Sequence, residues 1–391
     1  MNIYVIPTWY PNPRQPMSGI FTKEQAKLIS EQASIEKVIV QDHGFSISHL
    51  SPLNIFGIIE SIYWRLNTKK KIIINNDFIE IFDPIFTWPE KIPFGGVSRL
   101  VSHSKEIFLR AQDQFGEINL IHAHVCFPAG YIAYEISKLC GVPYVITEHM
   151  SPFPFKSITE QDGRLKKKID LAFKNAKNVI AVSDELKLEM ENHGIQNIKT
   201  IGNLVDEDFF RIQEKEKNQP FSFFSFGRLH PQKGFDTLFE AIKILKNEGI
   251  SINFRIGGRG PYENEYRLTV KKLGIENYIS WLGELSRYEA LIEYQNCDAY
   301  LLASRHESFG MTYIEALACG KPIIATKCGA PENFINKDNG ILIEKENPID
   351  LANAIKKIIN NYYYDSNIIR EDCIRNFSKK NVINEIIKSY Q

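Results

Sequence analysis

The residues best suited to chemistry are two carboxylates and two cations in the second half of the chain. Glu307 and Glu315 have seven residues between them, and Arg228 and Lys233 flank a short loop. A guanidinium and an ammonium beside a helix N-terminus suit a diphosphate, whereas carboxylates accept hydrogen bonds from hydroxyl groups. The pattern favours a ligand with both phosphate and hydroxyl groups, although the glutamates by themselves equally fit solvated or capping side chains.

The two glutamates are predicted to lie in a strand-loop-helix-strand unit. The apolar runs Ala299–Ala303 and Ile323–Thr326 predict two buried parallel strands. Between them, Ser308-Phe309-Gly310 predicts a turn that opens a helix at Met311, and Gly320 marks the end of that helix. Free N–H groups around Phe309, Gly310 and Met311 would attract phosphate at the helix N-terminus. This loop follows a strand, which is where open α/β sheets bind ligands.

A second unit of the same kind is predicted to carry the two cations. The strand Phe221–Phe226 precedes Gly227, Arg228 and the loop to Lys233. The helix Phe235–Asn247 follows, so that Arg228 and Lys233 lie on either side of its N-terminus. We therefore expect both units to contribute to one phosphate-binding site.

The first half of the chain offers two further candidate residues. Gly19 stands between the predicted strand Ile3–Pro7 and a helix that begins at Ile20. It would let the backbone approach a ligand phosphate, or it forms an ordinary turn. His149 follows the predicted strand Tyr144–Thr147. With His122 and His124 it suggests a metal site, but no further ligands accompany the three histidines, so a structural or substrate-contacting role is favoured.

Length and composition exclude several classes of protein. The 391 residues predict two domains, and 47 basic residues balance 47 acidic ones, so no global charge indicates a nucleic-acid partner. The six cysteines have no metal or redox spacing, as expected in a reducing compartment. Neither a secretory signal nor a run of transmembrane length is found. We therefore expect a cytoplasmic protein.

Two segments allow alternative interpretations. The polar segment Asp206–Gln219 is predicted to link the two domains. It contains Asp206 and Asp208 at the DxD spacing that can hold a divalent metal, but carboxylates in a charged linker are usually solvated. Residues 51–71 combine bulky apolar side chains with a basic end, which suits contact with a membrane surface or, alternatively, a core helix followed by a solvated turn.

Four motifs in this order resemble the retaining glycosyltransferases of family four, which have the GT-B fold. They are Gly227-Arg228-Leu229 with Lys233-Gly234, the Glu307 and Glu315 pair, Gly320-Lys321-Pro322, and Asn203-Leu204-Val205-Asp206. The resemblance implies an α/β fold of two Rossmann-like domains with a ligand cleft between them. It implies domains at residues 1–205 and 206–370, with a crossover helix at 371–391 that returns to the first domain.

The same resemblance implies a nucleotide-diphosphate sugar as donor and a glycan or lipid-linked acceptor. Arg228 and Lys233 would hold the diphosphate, Glu315 the ribose, and Glu307 the transferred sugar. The implied catalytic residues are Glu307, His149, Arg228 and Lys233. The implied donor-binding residues are Gly19, Gly227, Arg228, Lys233, Glu307, Ser308, Phe309, Gly310, Met311 and Glu315. The family loop commonly has two adjacent glycines, whereas this chain has Ser18 before Gly19.

The resemblance also implies what the reaction needs. Negative charge would develop on the leaving diphosphate, and fixed cations with a helix N-terminus would stabilise it, so that neither a metal nor another cofactor is required. We expect a role in the synthesis of a cell-surface polysaccharide or glycolipid. A sugar-nucleotide epimerase of the same fold and a non-catalytic nucleotide-sugar-binding protein are the alternative functions.

Overall fold

The computed structural model describes most of the chain. The described residues are 1–12, 18–44, 63, 67–85, 96–214, 216, 219–360 and 364–391. They form two compact units, each with its own sheet. Unit 1 comprises Met1–Val182, Lys187–Ile201 and Ile383–Gln391, and unit 2 comprises Ser183–Leu186 and Gly202–Val382.

Unit 1 contains an eight-stranded sheet. Its strands are β1 (Asn2–Pro7), β2 (Lys37–Asp42), β3 (Lys71–Asn75), β4 (Phe78–Phe82), β5 (Leu120–His124), β6 (Tyr144–Glu148), β7 (Asn178–Ala181) and β8 (Ile198–Thr200). Their order is β3-β4-β2-β1-β5-β6-β7-β8. All neighbours are parallel except β3 and β4, which are antiparallel. β1, β5 and β6 are buried along their whole length, as expected for central strands with helices on both faces.

Helices connect the parallel strands of unit 1. They are Ile20–Ser30, Gly96–Phe115, Tyr131–Cys140, Lys167–Lys174 and Asp184–Asn192. Gly96–Phe115 shows how the sequence specifies them, because its apolar residues recur at helical spacing and Leu100, Ile107 and Phe108 are buried. The helix predicted to begin at Ile20 begins there, and the predicted strands Ile3–Pro7 and Tyr144–Thr147 are each one residue longer in the structure. Differences of this size at the ends of elements are expected.

Unit 2 contains a six-stranded parallel sheet. Its strands are β9 (Phe221–Phe226), β10 (Ile252–Gly257), β11 (Ile279–Gly283), β12 (Ala299–Leu302), β13 (Ile323–Thr326) and β14 (Gly340–Ile343). They lie in the order β11-β10-β9-β12-β13-β14. β12 and β13 are fully buried, which agrees with the prediction of two buried parallel strands from their short apolar runs.

The helices of unit 2 and the last helix of the chain complete the fold. They are Phe235–Asn247, Glu263–Leu273, Arg287–Asn296, Met311–Ala318, Pro348–Asn360, Ser366–Phe377 and Lys379–Tyr390. Two begin at side-chain caps: Ser286 and Glu289 form a capping box, and Asp365 accepts from two backbone N–H groups. Among the helices that the structure describes, none is long and apolar enough to cross a membrane.

The division into units differs from the predicted domain boundaries at the end of the chain. The return to unit 1 begins at Ile383, within the last helix, rather than at residue 371. The helix Ser366–Phe377 stays in unit 2, where Ile369 and Cys373 are buried. The predicted membrane contact at 51–71 falls mainly on residues outside the described ones and is not assessed by the structure.

Candidate active site

The sheet of unit 2 reverses its strand order between β9 and β12, which are neighbours. β10 and β11 lie on one side of this pair, and β13 and β14 lie on the other side. Ligands of open α/β sheets bind outside the carboxyl ends of the strands at such a reversal. The loops at this point are residues 227–234, after β9, and residues 303–310, after β12. These two loops carry most of the predicted donor-binding residues.

Lys233 and Glu307 contact each other between these two loops. Lys233 Nζ lies 2.6 Å from Glu307 Oε1, and the Ser304 hydroxyl donates to the same oxygen at 2.7 Å. The Glu307 side chain is 7% exposed and that of Lys233 is 21% exposed. A carboxylate buried to this degree needs such partners, because an unpaired buried charge is unfavourable. The structure thus brings Lys233, predicted to bind phosphate, into contact with Glu307, predicted to bind the sugar. Ser304, which donates to the same carboxylate oxygen, was missed by sequence reasoning.

Gly234 allows the two loops to approach this closely. Its φ of 65° lies in the left-handed region that favours glycine. A Cβ at this position would lie only 1.8 Å from the carbonyl oxygen of Ala303. At Gly227, in contrast, a Cβ would meet the Lys233 side chain at 3.6 Å, an ordinary contact distance. A side chain at position 234 would therefore displace the Lys233 loop, whereas position 227 mainly provides room beside the lysine stem.

Arg228 is placed differently from Lys233. Its side chain is exposed, and within the described part of the chain its guanidinium makes no hydrogen bond or ion pair. The neighbouring backbone is fixed, since the N–H of Leu229 donates to the carbonyl of Arg259 at 3.0 Å. The guanidinium therefore presents its donors to solvent from an ordered loop, and these donors suit an incoming anion.

The loop after β12 ends at a helix N-terminus. The helix Met311–Ala318 begins after Gly310, and no hydrogen bond from the backbone N–H of Phe309, Gly310 or Met311 is found among the described residues. These groups and the helix dipole favour an anion. The Phe309 side chain is buried, with its ring centroid 5.4 Å from that of Phe377, and the preceding Ser308 is half-buried. Phe309 thus anchors the loop and offers only its backbone to a ligand.

Glu315 lies one turn into this helix, and a tyrosine of another helix orients its carboxylate. The Tyr294 hydroxyl donates to Glu315 Oε2 at 2.8 Å. Tyr294 is fully buried, and its ring packs edge-on against Phe224 with centroids 5.1 Å apart. Burial, followed by the nearby Glu315 carboxylate, raises the pKa of Tyr294 well above its ordinary value, so it remains a donor. Sequence reasoning missed Tyr294; its signal was a tyrosine on the apolar face of a helix, where a buried hydroxyl needs a partner.

The Asp206-Glu207-Asp208 segment is held by cations. Lys379 Nζ lies 2.9 Å from Asp206 Oδ1 and also pairs with Asp208, and Arg287 Nη2 lies 3.5 Å from Asp206 Oδ2. Phe210, two residues later, is buried. The expectation of solvated carboxylates therefore fits Asp208, whose side chain is 85% exposed, but not Asp206, whose side chain is 26% exposed and pairs with both cations.

The described residues also bear on the metal alternative. Among them, no group of three or more His, Cys, Asp or Glu side chains is arranged to hold a metal ion. The two aspartates of the DxD spacing accept hydrogen bonds from Lys379 instead. Transfer without a metal stays a prediction, since it concerns the reaction.

In unit 1, His149 directly follows β6. His149 Nε2 lies 3.0 Å from His124 Nδ1, and the Phe21 ring packs on His149 with centroids 4.8 Å apart. The other nitrogen, Nδ1, is buried and has no partner among the described residues. Burial, with a smaller contribution from His122, lowers the pKa of His149 to about 3. The neutral ring can donate or accept at Nδ1, depending on its tautomer.

His122 is held by protein groups on both sides. Its Nδ1 lies 2.8 Å from the Tyr390 hydroxyl, and its Nε2 lies 2.7 Å from the Thr147 hydroxyl. Burial lowers the pKa of His122 to about 3 and that of His124 well below its ordinary value. These contacts favour a structural role for His122, and they leave His149 as the histidine with an unsatisfied atom.

Glu148 organises the backbone around His149. It is fully buried, and its carboxyl group accepts from the backbone N–H groups of Cys126, His149 and Met150, each at 2.9 Å. Burial raises its pKa, and these hydrogen bonds oppose the increase. Sequence reasoning missed this role, although a glutamate at the end of a buried strand was visible. Glu148 fixes the turn that carries His149.

Close packing against the backbone of Trp9 requires a glycine at position 19. Its φ is 65°, and a Cβ there would lie 2.1 Å from the Trp9 carbonyl oxygen. It precedes the helix Ile20–Ser30, whose first turn carries Phe21 against His149. The structure therefore brings the predicted Gly19 loop and His149 together within unit 1.

A cavity of about 50 Å³ lies beside the same loop, at the carboxyl ends of β1 and β2. Trp9, Tyr10, Ser18 and Asp42 are part of its lining. Trp9 is 38% exposed, and burial raises the pKa of Asp42 to about 6. A cavity of this size has room for a few water molecules, whereas pockets for small-molecule ligands usually measure about 300–1,000 Å³. Sequence reasoning missed both Trp9 and Asp42, although each stands at the end of a strand.

Comparisons with known proteins identify glycosyltransferase family models that match both halves of the chain. The family model described as glycosyl transferases group 1 matches residues 205–380, and the model described as glycosyltransferase family 4 matches residues 83–209. The first match covers the site residues of unit 2 that are named above. The second match covers His149 and Glu148 in unit 1.

Individual relatives extend the match over most of the chain. A glycosyltransferase of Methanocaldococcus jannaschii is 31% identical over 78% of this chain and 80% of its own length. TuaC of Bacillus subtilis, a glycosyltransferase named for teichuronic acid biosynthesis, is 24% identical over 91% of this chain and 89% of its own. The structure of HepE from Anabaena with UDP and glucose has a TM-score of 0.73 at 18% identity, covering 99% of this chain and 98% of HepE.

Proposed function

The chain belongs to the group 1 glycosyltransferases, and on that premise we propose that it transfers a sugar from a nucleoside-diphosphate sugar to a hydroxyl group with retention of configuration. The observation that carries this proposal is the arrangement in unit 2. The Arg228 guanidinium, which makes no hydrogen bond or ion pair within the described residues, the Lys233 ammonium and the N-terminus of the helix Met311–Ala318 lie on the loops at the reversal of the sheet. These groups complement a diphosphate, which is the leaving group of such a transfer.

The chemical contribution of these groups is electrostatic. Negative charge grows on the diphosphate as the bond to the sugar breaks, and Arg228, Lys233 and the Phe309–Met311 backbone stabilise it. Lys233 is already held by Glu307 at 2.6 Å, so a phosphate oxygen must share or replace that contact. The ammonium is thus positioned before the donor arrives, which reduces the ordering that binding requires.

The carboxylates are proposed to bind hydroxyl groups. Glu315, fixed by Tyr294, would accept from the ribose, and Glu307 would accept from the transferred sugar. His149 would contact the sugar through its unpartnered Nδ1. Because burial keeps the pKa of His149 low, this contact would be made by a neutral imidazole at pH 7.

Unit 1 is proposed to bind the acceptor, a glycan or lipid-linked saccharide. The exposed side chain of Trp9 supports this, because an indole can cover the apolar face of a sugar. The similarity to TuaC supports a role in cell-surface polysaccharide synthesis. The six free cysteines support a reducing compartment, the cytoplasm, and contact with its membrane face stays a proposal.

The proposal is tested by measuring nucleotide release from a panel of nucleotide sugars, with and without glycan acceptors. Release that depends on the acceptor would support transfer. Conversion of the donor sugar without release would instead identify an epimerase, and binding without any turnover would identify a nucleotide-sugar sensor. Binding to none of the donors, measured by thermal shift, would contradict the assignment of the site in unit 2.

Replacing both Asp206 and Asp208 by asparagine should leave the transferase activity nearly unchanged and independent of divalent metal. Asp206 is 26% exposed and Asp208 is 85% exposed, so their pairs with Lys379 are screened by solvent and we expect little loss of stability. Activity with and without EDTA, and the melting temperature, check this expectation. A metal-dependent loss of activity in the double variant would show that the DxD spacing binds a metal.

A further inference from the structure

The contact between Lys233 and Glu307 is not explained by the strands that precede them. β9 and β12 are paired at only two positions, Phe223 with Ala299 and Phe224 with Tyr300. Lys233 and Glu307 both lie several residues beyond this pairing, in loops that would be free to diverge. Beyond the strands, the loops are connected by Gln232, whose Nε2 donates to the His306 carbonyl at 3.0 Å, and, through more contacts, by Arg305.

Arg305 makes that connection from the loop after β12. Its backbone N–H donates to the carbonyl of Gln232 at 2.7 Å, and its Nη1 donates to the carbonyl of Pro231. Nη1 and Nη2 also donate to the two carboxylate oxygens of Asp236 at 3.0 and 2.7 Å, while Nε donates to Glu346 at 2.7 Å. Arg305 therefore binds the backbone carbonyls of the turn Pro231–Lys233 and also the side chain of Asp236, in the helix that follows the turn.

The chemistry of the contacts separates Arg305 from Arg228. Four hydrogen bonds leave the Arg305 guanidinium, one from Nε, two from Nη1 and one from Nη2, out of its five donors. Two carboxylates, Asp236 and Glu346, surround its single positive charge. Arg305 is thus poorly suited to bind phosphate itself. The guanidinium N–H groups of Arg228, in contrast, make no hydrogen bond within the described residues.

We infer that Arg305 is a positioning residue that clamps the Lys233 loop onto the loop after β12 and so places the Lys233 ammonium for the donor diphosphate. Only the role of Lys233 in binding the diphosphate rests on the proposed function. The clamp, by which Arg305 holds Lys233 against Glu307, does not depend on it. Asp236 supports the same conclusion. It stands on the first turn of the helix Phe235–Asn247, close to the proposed phosphate site, where its charge would repel the donor if Arg305 did not neutralise it.

The variants are Arg305→Ala, Arg305→Lys and Asp236→Asn. Lysine keeps the charge but cannot make the bidentate contact with Asp236 while also reaching Pro231 and Glu346. The matched control is Arg267→Ala, in the same unit, whose guanidinium pairs with Glu263 at 2.9 Å and lies over Trp281, away from this loop. Melting temperatures identify any variant that is globally unfolded, and Asp236→Asn, which leaves Arg305 in place, serves if Arg305→Ala does not fold.

The first measurement needs no nucleotide. The rate of acetylation of Lys233 by an N-hydroxysuccinimide ester, followed by peptide mass spectrometry, reports how firmly Glu307 holds the ammonium. We expect labelling to be several-fold faster in Arg305→Ala than in the wild type and unchanged in Arg267→Ala. Lys327, paired with Glu344, serves as the internal reference. Equal labelling of Lys233 in the wild type and Arg305→Ala would overturn the clamp, as would full protection in Arg305→Lys.

The second measurement is a double-variant cycle on affinity for UDP, GDP and ADP, using whichever the wild type binds most tightly. Arg305→Ala should weaken binding about tenfold in the wild type but less than twofold in a Lys233→Ala background, because Arg305 acts through Lys233. Equal, additive losses in both backgrounds would overturn the inference while leaving the proposed function intact. A wild type that binds none of the three would contradict the proposed function, and the labelling result would still decide the clamp.

Discussion

Lys233→Ala is expected to lower kcat/KM for sugar transfer by about 10²–10³-fold, the usual loss when one fixed group that stabilises developing negative charge is removed. Lys233 is the half-buried cation of the proposed diphosphate site, and no other described cation contacts Glu307. The same change removes the partner of a carboxylate that is 7% exposed, so stability should also fall, by about 3 kcal/mol. Steady-state kinetics and chemical denaturation measure the two effects separately.

A second variant separates catalysis from stability in this prediction. Lys233→Ala combined with Glu307→Gln removes both charges and leaves Ser304 to bond a neutral amide, so most of the lost stability should return. Activity should not return, because the ammonium is still absent. Recovery of near wild-type kcat/KM in the double variant would mean that Lys233 matters only as a partner of Glu307, and the diphosphate assignment would then be wrong.

The strand-loop-helix frames of unit 2 were predictable because their signals are local. Short apolar runs predicted β12 and β13, and Gly310 before an apolar helical face predicted a helix start. Parallel strands place their following loops at the same edge of a sheet, so the meeting of the Arg228 and Glu307 loops follows once β9 and β12 are neighbours. That adjacency is a pairing of strands far apart in the chain, which local signals do not indicate.

The contacts that orient the site were not predictable, because each joins residues far apart in the chain. Tyr294 reaches Glu315 from a different helix, and Arg305 reaches Asp236 from a different loop. A tyrosine on a helix and an arginine in a loop are common, and their spacing in the sequence does not indicate which partner they meet. The pairing of Asp206 with Lys379 was not predictable for the same reason, since the two residues are far apart in the chain.

The free energy of unfolding is expected to fall by on the order of 3 kcal/mol between pH 7 and pH 5.5. Burial lowers the pKa of His43, His122 and His149 to about 3 and that of His124 well below its ordinary value. The unfolded chain protonates these rings near pH 6.5 while the folded chain does not, so unfolding takes up protons in this window. Stability therefore rises with pH here, and it is lost as the pH falls below the unfolded value.

Two buried carboxyl groups act in the opposite direction and set the size of the net effect. Burial raises the pKa of Asp42 to about 6 and also raises that of Glu148, so each binds a proton more readily in the folded state. They offset part of the contribution of the four histidines, each worth at most about 1.4 kcal/mol per pH unit. Urea denaturation at pH 7, 6 and 5.5 measures the slope.

A single-site comparison assigns that slope to buried imidazole rings. His124→Gln removes one ring that must stay neutral in the fold, so the pH dependence should become shallower, by at most about 1.4 kcal/mol per pH unit, whatever the variant loses in absolute stability. His306→Gln, at an exposed position on the loop after β12, is the matched control and should leave the slope as it was. A flat stability profile in the wild type from pH 7 to pH 5.5 would show that the folded protein takes up as many protons as the unfolded chain. Burial would then not be what keeps the His149 ring neutral.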